Sequence, residues 1–283
     1  MKLITWNIQW GRGVDGRVDL ERIVNDARRL ADFDVLCLQE VADGFDELGG
    51  NDARDQFAEV ARLLPGFTPV RGIATDIPGP DGRRKRFGNM VLSRFPVLQT
   101  FSHLLPWPAD PGVKSMQRMA LEASLQTPLG PIRVTTTHLE YYSAAQRRAQ
   151  IERLRELQRE AVAQSRNGPV ADPDSGPFCV PPRAAPGILT GDFNCRPDSP
   201  EQARLVENID KATPAYADAW QVRHPGETHA PTVGLYDKVQ WPGESFTFDC
   251  IFVTADLVPR VRDVRVDSTS AASDHQPVLL ELG

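Results

Sequence analysis

The sequence has little of what marks several large protein classes. It holds four cysteines in 283 residues, Cys37, Cys179, Cys195 and Cys250, and no two form a CxxC pair. Cys37 and Cys250 sit in apolar, strand-like runs, so they read as buried free thiols of a reducing compartment, with two disulfides as the alternative. No stretch reaches the roughly 18 apolar residues of a membrane span. The opening Met1-Lys2-Leu3-Ile4-Thr5-Trp6 has too short an apolar run for a secretory signal. The expectation is a cytoplasmic protein without a membrane span, with a monomer favoured. Positive charge is also scarce. Lys and Arg number 32 against 38 Asp and Glu, a net charge of −6. That balance excludes a wholly basic surface for sequence-independent nucleic-acid binding, though not a local basic site. There is no HExxH helix, no GxSxG elbow and no GxxxxGK[ST] loop, so zinc peptidase, serine hydrolase and P-loop readings lack support. No internal repeat, linker or composition break divides the chain, which predicts a single domain over 1–283.

What the chain does contain is a set of strand-like runs tipped by polar side chains. The most telling is Leu189-Thr190-Gly191-Asp192-Phe193-Asn194. Alternation along an extended chain puts Asp192 and Asn194 on one side and turns Phe193 into the core. A carboxylate takes a proton or holds a cation; an amide donates to an anion without adding charge. Leu3–Ile8 reads as a strand ending near Asn7. Asp19 then caps a helix with Leu20, Ile23, Val24, Ala27 and Leu30 on one face. Asp34–Glu40 is a buried strand ending in polar groups, and a second helix covers Asp52–Leu64.

The Gly- and Pro-rich segment Arg71–Arg86 reads as a loop that ends in Arg83-Arg84-Lys85-Arg86, either a solvated cluster or an arm that contacts phosphates. Asn89–Ser93 returns to strand. Met116–Leu125, with Arg118 near its start, pairs with Ile132–Thr137, which runs into His138-Leu139-Glu140. Ala144 to about Gln164 is the clearest helix, on the order of 30 Å long. A Pro-rich surface insertion at about 166–186 precedes the Asp192 strand; Asp172 and Asp174 within it read as a turn. Ser199 caps a short helix through Val206. Thr247–Val253 is a strand carrying Asp249, Pro259–Val266 is another, and Ser273-Asp274-His275 leads into the last strand, Val278–Leu282. His224 and His229 receive no role.

If these tips converge, the site holds the carboxylates of Glu40, Asp192, Asp249 and Asp274. Two like charges 4 Å apart cost roughly 4 kcal/mol at an effective dielectric near 20. Such a cluster calls for a divalent cation or for protonation. Oxygen-rich ligands without a thiolate pair point to Mg²⁺ or Mn²⁺ more than to zinc.

Trp6-Asn7, Leu38-Gln39-Glu40, Thr137-His138-Leu139, Gly191-Asp192-Phe193-Asn194, Asp249 and Ser273-Asp274-His275 together resemble the successive motifs of the endonuclease/exonuclease/phosphatase superfamily. The resemblance runs in order from residue 5 to 278. It implies the α/β, deoxyribonuclease-I-like fold, a four-layer sandwich of two packed mixed β-sheets flanked by helices. It also implies roles. Glu40 is then the principal metal ligand, with Asn7 and Asp274 nearby. Asp192 positions or deprotonates the attacking water. Asn194 and His138 hold phosphate oxygens. His275 does the same or assists the leaving group, oriented by Asp249.

The chain departs from parts of the superfamily pattern. Gln9 stands where many nuclease members carry an acid, Val41 follows Gln39-Glu40, and His138 replaces the tyrosine motif of abasic-site endonucleases. An abasic-site repair role is disfavoured. Thr136–Glu140 followed by Gln146-Arg147 and Gln150 resembles the branch of 5′-tyrosyl-DNA phosphodiesterases, deadenylases and sphingomyelinases. Within it, Arg118 sits near the substrate phosphate. The expectation is therefore a divalent-metal-dependent phosphoesterase acting on a phosphodiester, with nucleic acid as first substrate and partner. The alternatives are an inositol-phosphate, lipid-headgroup or other small-molecule phosphoesterase, and a non-catalytic binding module.

Overall fold

Local sequence sets the elements in a simple order. β1 (Lys2–Asn7) leads to α1 (Leu20–Leu30), where the Asp19 carboxylate accepts the Arg22 N–H. β2 (Val35–Asp43) returns parallel to β1. Asp55 then caps α2 (Gln56–Leu63), which is shorter than the expected 52–64. β3 (Thr68–Pro78) and β4 (Arg84–Ser93) form an antiparallel hairpin. β5 (Val97–Leu104), β6 (Met119–Thr127) and β7 (Gly130–His138) form an antiparallel series. α3 (Ala144–Arg166) crosses to β8 (Gly187–Asp192), parallel to β7. There follow α4 (Pro200–Val206), β9 (Tyr216–Asp218), α5 (Ala219–Arg223), β10 (Asp249–Thr254), β11 (Val261–Val266) and β12 (Val278–Leu282). The computed structural model describes residues 1–170, 172, 174, 176–181 and 183–283.

The strands form two mixed six-stranded sheets, β11-β12-β1-β2-β4-β3 and β5-β6-β7-β8-β10-β9. Period-two alternation sorts their side chains. Leu3, Val35 and Cys37 of one sheet meet Val134, Ile188 and Ile251 of the other in a core between the sheets. The intervening Ile4, Trp6, Leu36 and Leu38 face outward, under Ile23, Val24 and Ala27 of α1. On the far side, Leu189, Phe193 and Phe252 pack under Ile151, Leu154 and Leu157 of α3. The result is the expected four layers, helix, sheet, sheet, helix. All four cysteines are free; Cys37, Cys195 and Cys250 are buried and Cys179 is exposed. Among the described residues no helix is long and apolar enough to cross a membrane.

Two parts of the sequence reading need correction. Arg71–Arg86 is not a loop but most of the β3–β4 hairpin. Gly72 serves close approach, since a Cβ there would lie 2.8 Å from the Met119 side chain of the facing sheet, whereas Gly82 supplies the turn at φ 74°. Also, β5 was not foreseen, although its strict half-buried, exposed alternation is that of an edge strand. The Pro-rich insertion at 166–186 lies partly outside the described residues. Within the described part, the Asp174 N–H donates to Asp172 Oδ1 at 3.3 Å, the expected turn.

Candidate active site

Each sheet has a parallel pair at its centre, β1 with β2 and β7 with β8, and the carboxyl ends of both pairs point to the same edge of the sandwich. Asn7 ends β1, Glu40 lies in β2, His138 ends β7 and Asp192 ends β8, in register with His138. The antiparallel neighbours begin where these end. Asp249 opens β10 directly opposite Asp192, and Asp274 and His275 immediately precede β12. Sheet topology thus gathers residues from the whole length of the chain.

Two of them arrive by backbone exception. Leu3, Val35, Cys37 and Gln39 share the inter-sheet parity, so Glu40 ought to face the helices. A bulge in β2 and a left-handed φ of 61° re-aim it. Asn194 was expected beside Asp192 by strand alternation; instead β8 ends at Asp192 and Asn194 turns in at φ 50°. Its N–H donates to Asp192 Oδ1 (2.9 Å) and its Nδ2 to the Leu139 carbonyl (2.9 Å). The second N–H of that amide is left for a ligand. Gly191 makes the crossing possible: at φ 135°, a Cβ there would sit 1.9 Å from the Thr137 carbonyl oxygen.

The side chains form one connected set. Asn7 Nδ2 donates to Glu40 Oε1 and to Asp192 Oδ2, both at 3.0 Å, while its oxygen accepts the Gln9 N–H. As placed, Asn7 tethers the two carboxylates and does not offer them its oxygen. His138 Nε2 lies 3.5 Å from Asp192 Oδ2 and 3.9 Å from Glu40 Oε1. His275 Nδ1 lies 2.8 Å from Asp249 Oδ2, and its Nε2 is 3.8 Å from Asp192 Oδ2 and 4.0 Å from Asp274 Oδ2. Thr232 Oγ1 donates to the same Asp249 oxygen at 2.6 Å. Arg118 donates Nε to the buried Glu140 at 3.1 Å. Glu40, Arg118, His138, Asp192, Asn194, Asp274 and His275 all line one cavity of about 460 Å³; Asn7 and Asp249 stand behind it.

Crowding shifts the acids and the imidazoles apart. Burial, then the Asp274 charge, pushes Glu40 up to about 7. Burial raises Asp192 to about 6 against the opposing pull of the His275 charge. His138 is held well below the ordinary histidine value by burial and by the Arg118 and His275 charges, so it is neutral. For His275 burial works downward, but Asp249, Asp274 and Asp192 outweigh it and hold the ring as an imidazolium.

This donor set suits a hard divalent cation. Glu40, Asp192 and Asp274 offer carboxylate oxygens to one cavity, and burial raises the proton affinity of Glu40 and Asp192. Asp192, Asp249 and His275 also bring donor atoms within 4.8 Å of one another. The Asp249 oxygen already accepts from Thr232 and pairs with His275, however, so that trio is a hydrogen-bonded dyad beside the Asp192 carboxyl.

Sequence reasoning gave no role to Glu140, Gln240 or Trp241. Glu140 is fully buried between Arg118 and the Tyr142 N–H; it directly follows the quoted Thr-His-Leu run, and that adjacency was the available signal. Gln240 and Trp241 reach Asp274 Oδ2 at 3.1 and 3.0 Å from a connecting segment without periodicity, which gave none.

A family profile described as the Endonuclease/Exonuclease/phosphatase family matches residues 4–275. No curated relative matches the sequence. Among solved structures, an endonuclease/exonuclease/phosphatase from Beutenbergia cavernae is 26% identical with a TM-score of 0.72, covering 100% of this chain and 72% of that one. A Neisseria 3′ phosphatase bound to a product DNA hairpin is 20% identical with a TM-score of 0.62, covering 100% and 99%. A mannosyl-6-phosphatase from Bacteroides thetaiotaomicron is 16% identical with a TM-score of 0.60, also covering 100% and 99%. The last two are likenesses of fold.

Proposed function

The chain belongs to the endonuclease/exonuclease/phosphatase family of divalent-metal-dependent phosphoric ester hydrolases, and from that premise we propose that it cleaves a nucleic-acid phosphoester at a strand end or in a single strand, with Mg²⁺ or Mn²⁺. The observation that carries the phosphoester-hydrolase part of this reading is the convergence on one cavity of three carboxylates, Glu40, Asp192 and Asp274, with a neutral and a charged imidazole.

Glu40 and Asp274 would hold the cation, with Asp192 beside them. When bound, the metal supplies charge neutralisation at the phosphoryl oxygens and a lower pKa for coordinated water. Asp192 Oδ1 is tied to the Asn194 N–H, while Oδ2, which takes one hydrogen bond from Asn7 Nδ2, keeps a second lone pair to accept a proton from water. A carboxylate near 6 is well matched to that task at neutral pH. Neutral His138 and the spare N–H of Asn194 donate to phosphate oxygens, and fixed donors of this kind contribute a few kcal/mol each. His275, held as a cation by Asp249, offers Nε2–H to the oxygen on which negative charge develops. Arg118, fixed through Nε by Glu140, turns its amino groups toward the phosphate.

A second reading, a small-molecule phosphoester, is favoured by one observation. The basic run once considered for phosphate contact is engaged internally. Arg84 pairs with Asp76 at 2.7 Å, Lys85 with Glu47 and Asp46, and Arg86 with Asp43 at 3.3 Å. The Neisseria and Bacteroides proteins exemplify both substrate classes on this fold.

The test is hydrolysis with Mg²⁺, Mn²⁺ or EDTA of single- and double-stranded DNA, RNA, a 5′-phosphotyrosyl oligonucleotide, inositol phosphates and hexose phosphates. Metal-dependent cleavage of an oligonucleotide is expected, with Asp192→Asn lowering kcat about 10³-fold and leaving the circular dichroism spectrum unchanged. An unchanged rate in that variant would remove Asp192 from the mechanism. Cleavage of hexose phosphates alone would establish the second reading.

A further inference from the structure

One wall of the cavity bears features that the hydrolytic machinery does not use. Trp241 donates its indole N–H to Asp274 Oδ2 at 3.0 Å, which fixes the ring beside His275, with centroids 6.5 Å apart and planes at 87°. Tyr141 stands edge-on to Trp241 at 6.0 Å and to Tyr142 at 4.8 Å. Tyr141 and Tyr142 remain 41% and 53% exposed. Exposed phenols on a free loop would be mobile, but here the backbone is pinned. The Tyr142 N–H donates to Glu140 Oε1 at 2.9 Å, and Arg147 Nη1 donates to the carbonyls of Glu140 (2.8 Å) and Tyr141 (3.0 Å). Above the Tyr142 ring, at 5.4 Å, lies Lys114 Nζ. Among the described residues Lys114 has no ion pair, and it lines the same cavity as Arg118.

We infer that Trp241, Tyr141, Tyr142 and Lys114 form a subsite for the nucleotide next to the scissile phosphate, in a single strand or an unpaired end. The inference rests on the phosphoesterase reading of the cavity floor. A nucleobase stacks on the held aromatic faces, and the neighbouring phosphate meets Lys114. Rings held in place but uncovered are prepared to stack at small entropic cost. A base within a duplex has both faces occupied by its neighbours and cannot make this contact. A hexose monophosphate lacks the second phosphate that Lys114 would meet.

The test uses the full chain carrying Asp192→Asn in Mg²⁺. The probe is a short single-stranded oligodeoxynucleotide with 2-aminopurine beside its terminal phosphate; mannose 6-phosphate is the sugar control. Binding should quench the 2-aminopurine. Tyr141→Leu with Tyr142→Leu should weaken the oligonucleotide about ten-fold or more and abolish the quenching, leaving mannose 6-phosphate unchanged. Lys114→Ala should lower the slope of log affinity against log salt by about 0.7. Unchanged oligonucleotide affinity in the tyrosine variant, or an equal loss for the sugar, overturns the subsite. The wild-type chain separates this from the hydrolytic reading. Rim-dependent binding without hydrolysis of any ester leaves the subsite and removes that reading; hydrolysis of the oligonucleotide with rim-independent binding does the reverse.

Discussion

Glu40 and Asn194 owe their places in the site to left-handed backbone, at φ 61° and 50°. Alternation assigns Glu40 to the helix-facing side of β2, and it set Asn194 beside Asp192 on an extended strand that in fact ends at Asp192. What could be read was chemistry at the ends of apolar runs: Asn7, Glu40, His138, Asp192, Asn194, Asp274 and His275 all line or back one cavity. Thr232 and Trp241, which act through Asp249 and Asp274, were not legible, since they lie in connecting segments and reach the site by long-range contact. The dyad gives a test at this scale. Asp249→Asn removes the anion that keeps His275 charged. The expected result is a loss of kcat of about 10²-fold or more at little change in KM, with the pH profile altered on the side where His275 titrates. Unaltered kinetics would mean that Asp249 serves packing alone.

Among the elements, the second sheet is stapled by a buried ion cluster. Glu122 of β6 accepts from Arg183 Nε and Nη2 at 2.8 and 2.6 Å and has Arg133 of β7 and His103 of β5 within 3.8 and 3.3 Å. Burial alone would raise its pKa, but hydrogen bonds from His103 and Arg183 and the arginine charges hold it at about 2 against an ordinary 4.5. A depressed folded value means stabilisation that is complete above the unfolded pKa and lost as pH falls through the folded one. About 3 kcal/mol is therefore present at neutral pH and disappears between roughly pH 4.5 and 2. Urea midpoints measured from pH 6 to 2 should show this decline in the wild type. Glu122→Gln should start about 3 kcal/mol lower, with two arginines left unpaired, and lack that slope. The β3–β4 hairpin yields the opposite kind of expectation. Arg84, Lys85 and Arg86 are paired in place, so neutralising 83–86 together should change oligonucleotide affinity less than about two-fold and lower stability, the exposed arginine pairs being worth about 0–1 kcal/mol each and the buried Lys85 the larger share. A steep loss of affinity and salt dependence in a filter-binding titration would restore the hairpin as a nucleic-acid arm. Its glycines and prolines concealed it as a loop because turn chemistry and close sheet contact use the same residues.

For the molecule as a whole, the site straddles two sheets. Glu40 and Asp274 come from one and Asp192 from the other, so a cation bound among them ties the halves together and stabilises only the assembled state. At a metal concentration a hundredfold above Kd the gain is about 2.7 kcal/mol, an upward shift in Tm on the order of 5 °C for a chain of this size. In EDTA the same carboxylates repel, and Glu40→Gln should melt above the wild type while gaining nothing from Mg²⁺. A metal-independent Tm in the wild type would argue against a cation at this place. Interleaved strand and helix periodicities made a single α/β domain legible; the four-layer arrangement came from the resemblance of the ordered motifs to the superfamily.

The hydrogen bonds of β1 to both β2 and β12, and those from Trp6 Nε1 to the His275 carbonyl and from Ser273 to the Asn7 carbonyl, also bear on how the protein is made. β1 must wait for β12, which follows it far along the chain, to complete its sheet. Every earlier length of nascent chain exposes one edge of β1 and lacks Asp274 and His275. Hydrolytic power therefore cannot emerge gradually during synthesis; it switches on once β12 has been released, and until then β1 needs shielding from strands of other chains.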